Sequence, residues 1–164
     1  MKKIIIIIST LLCSIIGHTQ DLPDFSSYKL EKKEDFTERT NKAALAAANY
    51  ILDSPVDKSD PNRANCLMFI VRWMNGSPDY SFVLGDDKAM KIAGSNTDVG
   101  ALFFAALTKY ALEHKTIAND DKKLKLGGIK LILEYVQIKE NNIKLNKELK
   151  KQLMQMQLAN LNHS

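Results

Sequence analysis

After residue 35 the apolar positions of the chain recur at steps of three and four, the period of a helix face. The first such run follows Asp35, with Glu38 three residues on in capping-box spacing. The alanine-rich stretch 42–49 has high helix propensity. Phe36, Ala43, Ala47 and Tyr50 share one face at steps of seven, four and three. Ser54-Pro55 ends this helix, because proline disfavours helical geometry in the residue before it. Asp60-Pro61 opens the next, with aspartate as N-cap and proline at the first helical position. It carries two apolar stripes, Leu67, Val71, Met74 and Cys66, Ile70, Trp73, so it is expected to lie between neighbours. Asn75-Gly76 and Ser77-Pro78 stop it.

In residues 79–85 the period changes: Tyr80, Phe82 and Leu84 alternate, as in a strand. One short strand without a partner makes no sheet, so the segment reads as an ordered connection with its aromatics turned inward. A short helix is expected from Asp86-Asp87 to Gly94. The following helix starts near Thr97-Asp98 and ends near His114-Lys115. Val99, Phe103, Ala106 and Tyr110 form its stripe, and Leu102, Phe104 and Ala105 are apolar too, so it reads as the most buried. Another helix is expected from Asp120-Asp121 to about Glu140, with Ile129, Ile132, Val136 on one face and Leu131, Tyr135, Ile138 on the other. Gly127-Gly128 is a potential kink in it, and Asn141-Asn142 is a turn. The last helix runs from about Lys144 to Leu161, with Leu145, Leu149, Leu153 and Met156 as its single apolar stripe. It should lie on the outside. The fold class these patterns imply is all-α, a single bundle of five to six helices over residues 34–164.

The chain's start is of another kind. Lys2 and Lys3 precede an apolar run from Ile4 to Ile16, followed by the small and polar Gly17, His18 and Thr19. That order reads as a signal peptide over residues 1–20, too short to span a membrane. The competing arrangement is a lipoprotein signal with Cys13 as the lipidated residue, for which Leu12 is a poor predecessor. Residues 21–33 are polar and aperiodic around Pro23, and read as a flexible, exposed leader. Export is therefore expected, to the periplasm or the outside, with no integral membrane segment in the mature chain.

Losing residues 1–20 removes two lysines and no acid, which takes the net charge from +4 to +2. So balanced a chain gives no reason to expect nucleic acid or an anionic membrane as a partner. About 144 residues remain, enough for one ordinary core. Of the two cysteines only Cys66 is left, so no internal disulfide can form, and burial is the expected fate of that thiol.

Candidate chemistry is sparse. His18 goes with the signal, His114 stands alone at a helix end and His163 is next to last. No metal-ligand spacing, nucleophile elbow, dinucleotide fingerprint or phosphate loop occurs, so no cofactor and no metal is expected. Asp86-Asp87 and Asp120-Asp121 are paired acids, but neighbours on a helix point about 100° apart and serve better as caps. The stretch 86–94 also echoes 120–128 at an offset of 34 residues, without the third copy a solenoid needs.

Two segments stand out. Residues 73–82 gather the chain's one tryptophan, two turn signals and two more aromatics, and make Trp73, Asp79 and Tyr80 candidate binding residues. The bland alternative is that the aromatics plug the bundle and that Asp79 caps a turn. Residues 141–151 form a basic, amide-rich edge, with Asn142 and Lys147 as candidates for an anionic partner. There the bland alternative is a turn and the wet face of the last helix. In the runs Trp-Met-x-Gly-Ser-Pro-Asp-Tyr-x-Phe at 73–82 and Asn-Asn-Ile-Lys-x-Asn-Lys-Glu-Leu-Lys-Lys at 141–151 the chain resembles a group of small, exported, uncharacterised bacterial proteins. The resemblance spans residues 36 to 152 or so. It implies an exported helical domain and brings no activity or ligand with it.

Three functions fit these patterns. The first is a non-catalytic exported domain acting through a protein partner in the cell envelope. The second is a binder of a small apolar ligand or lipid between helices. The third is an enzyme with its site near Trp73 to Tyr80. A filled core would favour the first, a deep apolar pocket at Trp73 the second, and convergent polar groups around Asp79 the third.

Overall fold

Among the described residues five α-helices are complete: α1 (Glu38–Asp53), α2 (Pro61–Gly76), α3 (Thr97–Glu113), α4 (Asp121–Gln137) and α5 (Lys147–Leu161). The computed structural model describes residues 22–82, 91–94, 96–117 and 119–161. The expected signal peptide, the helix start at Asp86-Asp87 and His163 lie outside them. Residues 91–93 are helical and give way to Gly94, whose φ of 56° is a left-handed turn. Among the described residues there is no strand. The fold is an all-α bundle.

Helix α1 sits between α2 and α3, and its alanines make this possible. Ala43, Ala44, Ala47 and Ala48 are all buried, and their small side chains let neighbours approach from both sides. The α2 helix runs antiparallel to α1: the Tyr50 hydroxyl near the end of α1 donates to Asp60 at the start of α2. Trp73, at the far end of α2, donates to Asn41 in the first turn of α1. Helix α3 carries nine buried side chains and is the central element, as its all-round apolar pattern required. Phe103 in it is 4 % exposed. Helix α4 folds back on α3, and the Tyr135 hydroxyl donates to the Ser54 carbonyl at the end of α1. Helix α5 is the outermost. Leu149 is fully buried and Leu153 and Met156 half-buried, while Met154 and Leu158 face solvent.

The ends of the helices follow local hydrogen-bond competition. Asp60, Asn96 and Asp120 are N-caps whose side chains accept from backbone N–H groups at Asn62, Asp98 and Lys123. The expected start at Asp35 is corrected: its carboxylate reaches back to the Glu31 and Lys32 N–H groups. Thr37 caps α1 instead, with its N–H on Thr40 Oγ1 and its carbonyl accepting from that hydroxyl. The α4 helix stops at Gln137, a turn short of Glu140, because Asn141 donates its side-chain amide to the Tyr135 carbonyl and Asn142 turns left-handed. Ile138 is thereby exposed rather than on an apolar face. The α5 helix starts at Lys147 rather than Lys144, since Asn146 accepts from the Leu149 N–H. Gly127 and Gly128 do not break α4. They are the places where Tyr110 and Leu107 of α3 lie directly on its backbone.

The segment read as a flexible, exposed leader is laid along the bundle. Leu22, Phe25, Tyr28 and Leu30 pack on the core, and Phe25 stacks on Phe69 of α2 with ring centres 4.7 Å apart. The polar residues between these apolar ones hid their spacing.

Candidate functional site

Pro78 turns the chain at the end of α2, and the residues after it fold back over the end of the bundle. Trp73 is fully buried, and its indole N–H donates to Asn41 Oδ1 at 3.0 Å. The Tyr80 ring lies 5.2 Å from it and the Phe82 ring 5.8 Å. The three rings make one aromatic plug, as the alternation Tyr80, Phe82 suggested. Tyr80 is 9 % exposed and Phe82 half-buried.

Outside this plug lies a polar cleft of about 370 Å³ between the start of α1, the 79–80 turn and the end of α3. Tyr80, Asp79, Glu38, Asn41 and Lys115 line it. Lys115 pairs with Glu38 at 3.3 Å on the exposed rim. Among the described residues no backbone N–H reaches the Asp79 carboxylate, so the expected turn cap does not form there and the acid faces the cleft. Burial pushes the Tyr80 hydroxyl above its ordinary pKa, Lys115 opposes this, and Asp79 and Glu38 add to it. At neutral pH the hydroxyl therefore keeps its proton and can donate or accept a hydrogen bond.

No family model matches the chain, and no curated protein or solved structure is significantly similar to it.

Of the candidate residues, the structure brings Asp79 and Tyr80 into the cleft and places Trp73 behind it, joined through Asn41. Asn142 and Lys147 are elsewhere. Both are exposed, and the neighbouring Asn141 accepts from the Val56 N–H, beyond the opposite end of α1. Sixteen residues of helix, roughly 24 Å, separate the two ends. Of the residues that complete the cleft, Glu38 and Lys115 signalled only helix ends in the sequence and Asn41 nothing. Each is a common polar residue on a different element, and only the antiparallel packing unites them. Among the described residues no group of three or more His, Cys, Asp or Glu is placed to hold a metal ion, and no helix is long and apolar enough to cross a membrane.

Proposed function

We propose that this chain is an exported, non-catalytic helical domain that acts through a protein partner in the cell envelope, with the Asp79–Tyr80 cleft as the contact. Export rests on residues 1–20, and on the likeness to small exported bacterial proteins in residues 73–82 and 141–151. The observation that carries the partner reading is the sealed aromatic plug. Trp73, Tyr80 and Phe82 fill the end of the bundle, so the space outside them is shallow and polar. Such a cleft suits a side chain presented by another protein better than an apolar ligand. Among the described residues no cation pairs with Asp79 beside the Glu38–Lys115 pair, and its charge favours a lysine or arginine on the partner.

The same convergence of polar groups around Asp79 is what an enzyme site would show, and it makes catalysis the second reading. A pull-down from the cell envelope with the mature chain tests the first. A partner retained by the unaltered chain and lost by an equally stable Asp79→Asn variant supports it. A partner retained by both removes the cleft from the contact.

A further inference from the structure

The chain carries a second surface, away from the Asp79 cleft, that already holds a peptide: its own residues 22–30. This strap runs alongside α2 in the same direction. Its start lies by Asn62 and Asn65, its end by Arg72, and Phe36 beyond it rests on Gly76. Side chains provide its main hold. Phe25 and Tyr28, three residues apart, both cover the Phe69 ring, at 4.7 and 5.3 Å. The Arg72 guanidinium donates to the carbonyls of Tyr28 and Lys29, at 3.3 and 2.6 Å. Arg39 of α1 sits over the Tyr28 ring, 4.9 Å from its centre.

Two features make this an occupied groove rather than a piece of core. The strap underfills its seat: open clefts of about 420 Å³ flank it on the α2 side and on the α1 side. Met68 stands 59 % exposed at the rim of the first. The strap is also strained where it leaves the groove, since Leu30 holds φ at 54°, a left-handed geometry that side chains rarely adopt. Release of the strap relieves that strain and uncovers Phe69 between two arginines.

We propose that the α1–α2 face is a docking groove for an extended segment of a partner protein, one with two aromatic side chains three residues apart, and that residues 22–30 are its built-in occupant. The partner's aromatics take the places of Phe25 and Tyr28, and its carbonyls accept from Arg72. The strap then acts as a competitor that weakens binding by the fraction of time it is seated. This surface is distinct from the Asp79 cleft, and its test does not touch that cleft.

The test uses the mature chain, a Phe25→Ala/Tyr28→Ala variant of it, and a fluorescently labelled synthetic peptide of residues 22–33 as probe, followed by anisotropy. The expected result is binding to the variant at least about tenfold tighter than to the unaltered chain, because the resident strap no longer competes. Adding Arg72→Ala to the variant should abolish the gain. Equal binding to the two chains, or a gain that survives Arg72→Ala, overturns the proposal. If the double variant loses its helical circular dichroism, Phe25→Ala alone is titrated in the same way, and the absence of a gain there overturns it too.

Discussion

Asp79 and Tyr80 are neighbours with opposite tasks, and substitution separates them. Tyr80 packs on Trp73 and Phe82, so Tyr80→Ala should cost about 3 kcal/mol, as truncations of buried aromatics do. Asp79→Asn loses no backbone hydrogen bond within the described structure, and should change stability by less than about 0.5 kcal/mol. Urea unfolding of the two variants checks both, and a large loss for Asp79→Asn would show that the carboxylate holds the turn. Two glycines offer a similar contrast. A β-carbon on Gly127 would overlap the Tyr110 ring, whereas nothing lies within 4 Å of one on Gly100. Gly127→Ala should therefore cost about 1–3 kcal/mol through overpacking. Gly100→Ala, inside α3, should add about 0.5–1 kcal/mol through helix propensity. Thermal melts of the pair would show shifts of opposite sign. In the sequence both are glycines within helical patterns. Only the position of Tyr110 on the facing helix tells them apart.

Helix ends show where local reading succeeds and where it fails. Asp60-Pro61 was legible because cap and first turn are adjacent, and the Tyr50 hydroxyl takes Oδ2 and leaves Oδ1 for the cap bond from Asn62. Asp35 was misread because its carboxylate has two possible sets of N–H groups, and the preceding turn offers the nearer one. The end of α1 uses a long-range device that no local pattern records. Arg63, in α2, donates to the carbonyls of Ile51 and Ser54 and to the Ser54 hydroxyl, at 3.0, 3.0 and 2.9 Å. These are charge-assisted bonds to carbonyls that the helix end leaves free. Arg63→Ala should lower stability by about 2 kcal/mol in urea titration. Arg63→Lys should recover only part of this, since all three bonds come from Nη1, which lies one bond further along the side chain than a lysine ammonium. Full recovery by lysine would reduce the contact to simple charge.

At the scale of the molecule, the fold class was legible because each helix carries its own apolar face, and those faces can only be buried against one another. The order of packing was legible in part. The all-round apolar α3 had to be central and the one-sided α5 peripheral, and both are so. The strap was not legible, because its step of three lasts only from Leu22 through Phe25 to Tyr28, too short for a helix face, and these residues are set among polar and charged ones. The described ends of the two echoing stretches, 91–94 and 125–128, also differ. Gly94 ends a helical turn in left-handed geometry, while Gly127 and Gly128 lie inside α4. The strap also bears on export, since Leu22 is packed immediately after the expected cleavage region. Mass spectrometry of the native protein should find a chain starting near residue 20 or 21. An intact Met1, or a lipid on Cys13, would refute the export reading as stated.

Cys66 gives the folded bundle a built-in clock. It is fully buried in α2, and burial pushes its thiol up to about 12. In the closed state near neutral pH the sulfur therefore stays a thiol, which is the unreactive form. A reagent such as a thiol-reactive disulfide can reach the sulfur only when α2 separates from its neighbours. Labelling of Cys66 in the folded chain should therefore run at least about a thousandfold slower than in an unfolded control, and its rate should report how often the bundle opens. Complete labelling within seconds would mean that α2 is not held as described. In an oxidising compartment the same seal leaves the protein indifferent to disulfide exchange for as long as it stays folded.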